Sequence, residues 1–87
     1  MTKPAQPTVC WAYMVRCKYG TYYCGWTNDL GKRITAHNEG TGAKYLRGKG
    51  PVALVYKKKF LSVADAQAHE RMLKKLTREN KMRLIAS

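Results

Sequence analysis

Apolar, β-branched and aromatic residues are concentrated in two short segments near the start of the chain. They cover residues 10–17 and 21–26, and a Lys-Tyr-Gly sequence at residues 18–20 separates them. Two such segments joined by a three-residue loop that ends in glycine are typical of a β-hairpin. The sequence therefore predicts that the chain begins its folded part with two antiparallel strands.

The loop length also predicts which residues of the hairpin face each other. Counting outward from residues 18–20 places Tyr13 opposite Gly25 and Val15 opposite Tyr23. Because side chains alternate between the two faces of a strand, both tyrosines are expected on one face, with open space above Gly25. A two-residue loop would instead put the tyrosines on opposite faces.

A helix is predicted over residues 28–39. The segment begins with polar residues that cap helices well, and Leu30 and Ile34 have the spacing of one apolar face. Gly40 is typical of a helix C-terminus, where the backbone often takes a left-handed conformation.

A third strand is predicted over residues 52–60, where apolar residues alternate. We expect one face to carry Val52, Leu54, Tyr56 and Phe60, and the opposite face to carry Lys57 and Lys59.

Two further helices are predicted after this strand. Ser62 and Asp65 form a capping pattern for a helix over residues 63–76, and Thr77 can cap a shorter final helix. The expected inward residues of the longer helix are Val63, Ala66, Leu73 and Leu76.

The order β-β-α-β-α-α predicts an α+β fold with a three-stranded antiparallel sheet flanked by helices. With 87 residues, one domain is expected, over residues 9–87, after a flexible tail at residues 1–8. So short a chain is not expected to enclose a small-molecule cofactor.

The net charge of the chain indicates which class of partner it binds. Seventeen Lys and Arg against five Asp and Glu give a net charge of +12, which favours binding to a polyanion such as nucleic acid.

No apolar run is long enough for a membrane span, and no signal peptide is recognisable at the N-terminus. Three cysteines without a signal peptide predict reduced, buried thiols and a cytoplasmic protein.

Five residues on the predicted elements have side chains suited to phosphodiester hydrolysis. Arg33 and His37 are four residues apart on the first helix, at the border of its apolar side, and Glu70 borders the inward side of the second. With Tyr13 and Tyr23, they would supply a proton acceptor, a cation for transition-state charge and a metal-binding carboxylate. The same spacing is also compatible with a structural ion pair of Glu70, either with Arg33, which would hold the helices together, or with a lysine.

These residues resemble the motifs of the GIY-YIG nuclease family, in particular its small stand-alone members. Ala12-Tyr13-Met14 matches the first motif, and Tyr23-Cys24-Gly25 the second. The family's Thr-x-x-Leu-x-x-Arg-x-x-x-His pattern corresponds to Thr27, Leu30, Arg33 and His37, and its metal-binding glutamate corresponds to Glu70. The chain departs from the family at Ala12, Cys24 and Trp26.

The resemblance implies cleavage of DNA with one divalent ion, Mg²⁺ or Mn²⁺, held weakly by Glu70 in the absence of DNA. Whether a tyrosine or the histidine acts as the general base is left undecided. The resemblance also implies a role in DNA repair or recombination, with a larger repair complex as a possible partner. The residues expected to contact DNA are Lys44, Arg47, Lys49, Lys57 and Lys59. The alternatives are a non-catalytic nucleic-acid-binding module and an adaptor that docks onto a repair protein.

Overall fold

The structure is a computed structural model that describes residues 9–18, 20–40 and 51–87. The predicted tail at residues 1–8 and the predicted DNA contacts Lys44, Arg47 and Lys49 lie outside the described residues. The described residues form, in chain order, β1 (Cys10–Arg16), β2 (Tyr22–Thr27), α1 (Leu30–Glu39), β3 (Ala53–Phe60), α2 (Val63–Lys75) and α3 (Arg78–Ala86). This is the predicted order, and the strands form an antiparallel sheet in the order β2-β1-β3.

The hairpin has the predicted register. Tyr13 pairs with Gly25 and Val15 with Tyr23. Beyond the strands, the Cys17 amide donates a hydrogen bond of 2.8 Å to the carbonyl oxygen of Thr21. Gly20 closes the loop with φ at +84°, a conformation that a residue without a β-carbon adopts without strain.

A β-bulge interrupts the pairing of β1 with β3. Met14 pairs with Tyr56 but the next residue of β1, Val15, pairs with Leu54, so that Val55 is an extra residue on β3. Paired residues share a face, and consecutive residues of β1 face opposite ways. Leu54 therefore lies on the opposite face of the sheet from Tyr56.

The bulge overturns the prediction of one apolar face along the third strand. Val52 packs with Tyr13 and Val15 on one side of the sheet, whereas Tyr56 and Phe60 pack on the other. Simple alternation failed because the extra residue changes the face halfway along the strand.

Helix α1 begins two residues later than predicted, because Asp29 is its N-cap. The Asp29 carboxylate accepts a hydrogen bond of 3.0 Å from the Lys32 amide. At the other end, Gly40 has φ at +79° and its N–H is directed to the carbonyls of the last turn, as predicted for this glycine.

The predicted caps also start the two later helices. The Ser62 hydroxyl accepts from the Asp65 amide in α2, and the Thr77 hydroxyl accepts from the Asn80 amide in α3. Ala66 and Leu73 are buried as predicted, but Val63 is 36% exposed. Val63 is the first residue of α2 and lies at the rim of the fold, one turn before the helix becomes buried.

Helices pack on both faces of the sheet. On one face, Leu30 and Ile34 of α1 contact the cluster that contains Tyr13, and on the other, Leu73 of α2 packs with Ala12 and Met14. The cysteines are reduced and buried as small apolar side chains, as predicted. Among the described residues, no helix combines the length and apolar character that crossing a bilayer requires.

Candidate active site

The centre of the candidate site is a hydrogen bond between strand β1 and helix α1. The hydroxyl oxygen of Tyr13 lies 2.9 Å from Nε2 of His37, and both side chains are buried, His37 with 1% of its surface exposed. The side chain of His37 lies on the inward face of the last turn of α1. The structure thus brings together two of the five residues that the sequence pointed to.

The space above Gly25 is filled by Tyr13 itself. A β-carbon on residue 25 would lie 2.8 Å from the ring carbon Cζ of Tyr13. The space expected above Gly25 exists only because the residue has no side chain, and the ring of Tyr13 occupies it. Because Tyr13 is paired with Gly25, its ring crosses β2 at the position of the glycine.

Tyr23 contacts the same histidine from the neighbouring strand. Its ring meets the His37 ring edge-on, with the centroids 5.7 Å apart. Tyr23 is half-buried and lies on the same sheet face as Tyr13, as the register predicted. An edge-on aromatic contact restricts the orientation of the imidazole.

Arg33 is exposed, whereas His37 is buried, so the prediction that both border the apolar side of α1 holds only for the histidine. The two positions are one turn apart, but the long arginine side chain carries its charged group into water. Its positive charge still acts on both Tyr13 and His37.

Glu70 approaches the site from helix α2. Its side chain is 17% exposed, and its charge acts on Tyr13 and on Cys24 of the neighbouring strand. Its ion pair is with Lys74, one turn further along α2, with Nζ 3.6 Å from Oε1. The structure therefore pairs Glu70 with a lysine of its own helix, and not with Arg33 of α1.

Burial determines the protonation states at the centre of the site. Burial raises the pKa of Tyr13 far above its ordinary value; the charges of Tyr23, Glu70 and Cys24 add to the increase, and Arg33 opposes it. Burial also lowers the pKa of His37 from 6.5, and the charge of Arg33 lowers it further. Near neutral pH, Tyr13 is therefore a phenol and His37 a neutral imidazole.

The acidic groups suit a weakly held, hydrated ion. Within the parts of the chain that the structure describes, no three His, Cys, Asp or Glu side chains come together as a closed metal cage. Mg²⁺ is commonly bound through one or two carboxylates, its own waters and a substrate phosphate. Glu70, whose side chain is 17% exposed and whose charge acts on Tyr13, fits that role as a single carboxylate.

Two of the predicted DNA contacts lie on the same sheet face as Tyr13. Lys57 pairs with Tyr13 and Lys59 with Trp11, and both lysines are exposed. The ammonium group of Lys57 lies 5.6 Å from the centre of the Trp11 ring. Trp11 is therefore an aromatic neighbour of this basic strip that the sequence analysis did not single out, because the pairing of β3 with β1 brings them together.

Two contacts that hold the site together carried no signal in the sequence. The side-chain oxygen of Asn38 accepts a hydrogen bond of 2.7 Å from the Val52 amide, which joins the end of α1 to the start of β3. On the other face, the Tyr56 hydroxyl lies 2.8 Å from Nε2 of His69. That contact anchors α2 to β3, one residue before Glu70.

Comparison with known proteins identifies the class. Residues 9–83 match the family model described as the GIY-YIG catalytic domain, so the chain belongs to the GIY-YIG family, whose fold is that of nucleases. A UPF0213 protein of Clostridium perfringens is 53% identical over 77 residues, which are 88% of this chain and 83% of that protein.

Solved structures agree with this assignment. The solution NMR structure of a UPF0213 protein from Bacillus halodurans has a TM-score of 0.58 and 40% identity, and the match covers 90% of this chain and 83% of that one. An NMR structure of a protein from E. faecalis has a TM-score of 0.57 and 35% identity, over 87% of this chain and 82% of that one. The chain is thus similar to small proteins of nearly its own length.

Proposed function

We propose that this protein is an endonuclease that hydrolyses phosphodiester bonds in DNA with the help of one divalent ion, Mg²⁺ or Mn²⁺. The observation that carries the proposal is the buried hydrogen bond between Tyr13 and His37, within electrostatic reach of Arg33. Glu70 acts on the same tyrosine from the other helix. A proton acceptor, a cation and a carboxylate are the groups that this hydrolysis needs, and here all three act on the same tyrosine.

Tyr13 and His37 act together as the base in this proposal. The attacking water gives a proton to the hydroxyl oxygen of Tyr13, while Tyr13 passes its own proton to Nε2 of His37. The water oxygen forms a bond to phosphorus, and the bond from phosphorus to the leaving oxygen breaks. Because burial raises the pKa of Tyr13, a persistent phenolate is unfavourable, and transfer to the neutral His37 avoids it.

Arg33 is the group that stabilises the negative charge of the phosphate in the transition state. Its guanidinium is exposed, so it can reach a substrate at the surface, and it can donate two parallel hydrogen bonds to phosphate oxygens. Such a contact is worth most when the phosphate gains charge during the attack.

Glu70 would hold the divalent ion. Bound there, the ion would supply positive charge to the phosphate oxygens and bring coordinated water. Since one carboxylate holds Mg²⁺ weakly, the DNA phosphate is expected to complete the binding site.

DNA would approach over the sheet face that carries Lys57 and Lys59, with Lys44, Arg47 and Lys49 as further contacts. The net charge of +12 favours this partner. We place the activity in a domain over residues 9–87 that follows a tail at residues 1–8. Its setting would be DNA repair or recombination in the cytoplasm, where a larger repair complex is a candidate partner.

The test is a single-turnover cleavage assay with single-stranded, duplex, flap and branched DNAs, with and without Mg²⁺ or Mn²⁺. We expect metal-dependent cleavage of at least one DNA by the wild type and none by Glu70→Gln. Glu79→Gln is the matched control, because Glu79 is an exposed acid on α3 that pairs with Arg83. A protein that binds DNA with steep salt dependence and cleaves none of these substrates would be a binding module, and one that does not bind DNA an adaptor.

A further inference from the structure

Lys74 is the cation that faces the carboxylate of Glu70 in this structure. The two residues are one helical turn apart on α2, with 3.6 Å between Nζ and Oε1. The side chain of Lys74 is 54% exposed, whereas that of Glu70 is 17% exposed. A largely buried carboxylate is therefore paired with a lysine whose side chain is free to move through solvent.

We propose that Lys74 is an exchangeable counter-ion, which neutralises Glu70 in the free protein and moves to a DNA phosphate when the substrate binds. The exchange frees Glu70 for the divalent ion, so that metal binding and DNA binding favour each other. This inference rests on the proposed function, because it assigns a mode of regulation to the same site.

Electrostatics requires a competition at this carboxylate. A lysine ammonium and a divalent ion are both positive, and each is attracted to the same half-buried oxygen atoms while it repels the other. The lysine is the weaker competitor, because it carries one charge against two on the ion and its four-carbon stem loses conformational freedom when it is held in place. A phosphate offers it an alternative anion at the moment the metal is needed.

The surroundings of Cys24 indicate where the phosphate would find this lysine. The charges of Lys81 and Lys74 oppose the burial that raises the pKa of that thiol, and the charge of Glu70 adds to it, so Lys81 is a second cation within electrostatic range of this part of β2. Because the side chain of Lys74 is 54% exposed, its ammonium group can turn from the carboxylate to a phosphate in solvent.

The other ion pair of the described residues shows what is particular about this one. Glu79 and Arg83 on α3 have the same spacing and a shorter distance of 3.0 Å, but their side chains are 76% and 73% exposed. Water screens both charges of that pair. In the Glu70–Lys74 pair only the lysine has such access to solvent, so removal of its charge must change the affinity of Glu70 for cations.

The experiment measures Mn²⁺ binding to the complete protein without DNA, by the loss of the EPR signal of free Mn²⁺. Lys74→Gln should bind Mn²⁺ at least about fivefold more tightly than the wild type, the lower end of typical site couplings. Lys75→Gln is the matched control, because it removes the same charge from the neighbouring position of α2 and should leave the affinity unchanged. Glu70→Gln should abolish the binding in both the wild-type and the Lys74→Gln background.

A second measurement tests the coupling to DNA. A short phosphorothioate DNA, which resists cleavage, should tighten Mn²⁺ binding by the wild type but should have a much smaller effect on Lys74→Gln. Because coupling between two ligands is reciprocal, Mn²⁺ should raise DNA affinity in the wild type by the same factor. Melting curves of each variant show that the fold is retained.

An unchanged Mn²⁺ affinity in Lys74→Gln, or an equal gain in Lys75→Gln, would overturn the exchange. Neither result would contradict the nuclease proposal, because that proposal is tested separately by the cleavage assay with Glu70→Gln. Conversely, tighter Mn²⁺ binding by Lys74→Gln through Glu70, in a protein that cleaves no DNA, would support the exchange and overturn the nuclease proposal.

Discussion

The hydroxyl oxygen of Tyr13 lies only 2.6 Å from the point that a β-carbon on residue 25 would occupy, so the tyrosine can cross β2 only where that residue is glycine. The two residues are direct partners in the hairpin. The glycine therefore serves the position of Tyr13 and its hydrogen bond with His37. Its role is to fix a side chain of the site, and contact with a substrate is not needed to explain it.

Gly25→Ala should move Tyr13 and destabilise the protein. The new methyl group would overlap the tyrosine ring at its buried end, and overpacking of this kind costs about 1–3 kcal/mol. Urea denaturation measures the loss, and the cleavage rate should fall further than the fraction of unfolded protein explains. Gly31→Ala is the control: its β-carbon would meet nothing closer than 3.9 Å, and in a helix it should stabilise by about 0.5–1 kcal/mol.

Loss of either member of the Tyr13–His37 pair should slow cleavage strongly. Tyr13→Phe removes the oxygen that takes the proton from water, and a loss of roughly 10²–10⁴ in the single-turnover rate is expected. In the wild type the rate should fall on acidification, with a midpoint below 6.5, because the pKa of His37 is lowered and its neutral form is required. A cleavage rate that does not change with pH down to the point where the protein unfolds would contradict the proposed proton transfer from water through Tyr13 to His37.

Acid should also destabilise the fold through two histidines, the buried His37 and the half-buried His69. Burial lowers the pKa of His37 and of His69, and the nearby charges of Arg33 and Lys58 add to this. The unfolded chain then takes up protons that the folded protein does not, so stability is lost as pH falls through the unfolded value of 6.5. Melting temperatures recorded against pH should decline there, and His37→Gln and His69→Gln should each flatten the decline.

Arg33→Ala should give a folded protein that binds DNA but cleaves it slowly. The arginine is exposed and makes no ion pair with Glu70 in the structure, so the melting temperature should change little. Removal of one donor to the transition state lowers the rate by roughly 10²–10³. Arg33→Lys should restore only part of it, since a point charge does not replace the planar guanidinium. A folded and fully active Arg33→Ala would exclude a catalytic role.

Lys57 and Lys59 should contribute to DNA affinity for every sequence. Their replacement by Gln should weaken binding and reduce the slope of log K against log salt by about 0.9 for each lost contact with duplex DNA. Lys75→Gln on α2 is the charge-matched control for each single variant, Lys57→Gln and Lys59→Gln. An unchanged slope in the double variant would place the DNA on another surface, for which residues 44–49 are the next candidates.

The hairpin and the order of elements could be predicted because their signals are local. A three-residue loop that ends in Gly20 determines the register, and the caps Asp29, Ser62 and Thr77 lie next to the helices they begin. Each of these features involves residues a few positions apart. The pattern of apolar residues is then enough to order the elements.

The bulge could not be predicted, because it depends on the pairing of two strands that lie far apart in the chain. Nothing in the sequence around Val55 marks it as an extra residue; only its pairing with β1 does. For Glu70, the sequence left both Arg33 and a lysine as possible ion-pair partners and could not decide between them. The structure pairs Glu70 with Lys74 on its own helix and leaves Arg33 exposed.

The position of β3 at the edge of the sheet gives its lysines a second role, in solubility. A strand at an edge has unpaired N–H and C=O groups that invite another chain to add itself, and charged side chains oppose this. Lys57, Lys58 and Lys59 lie consecutively on this strand, with β1 as its neighbour on one side only. A variant that neutralises all three should therefore aggregate through edge-to-edge pairing of β3, whether or not its affinity for DNA changes.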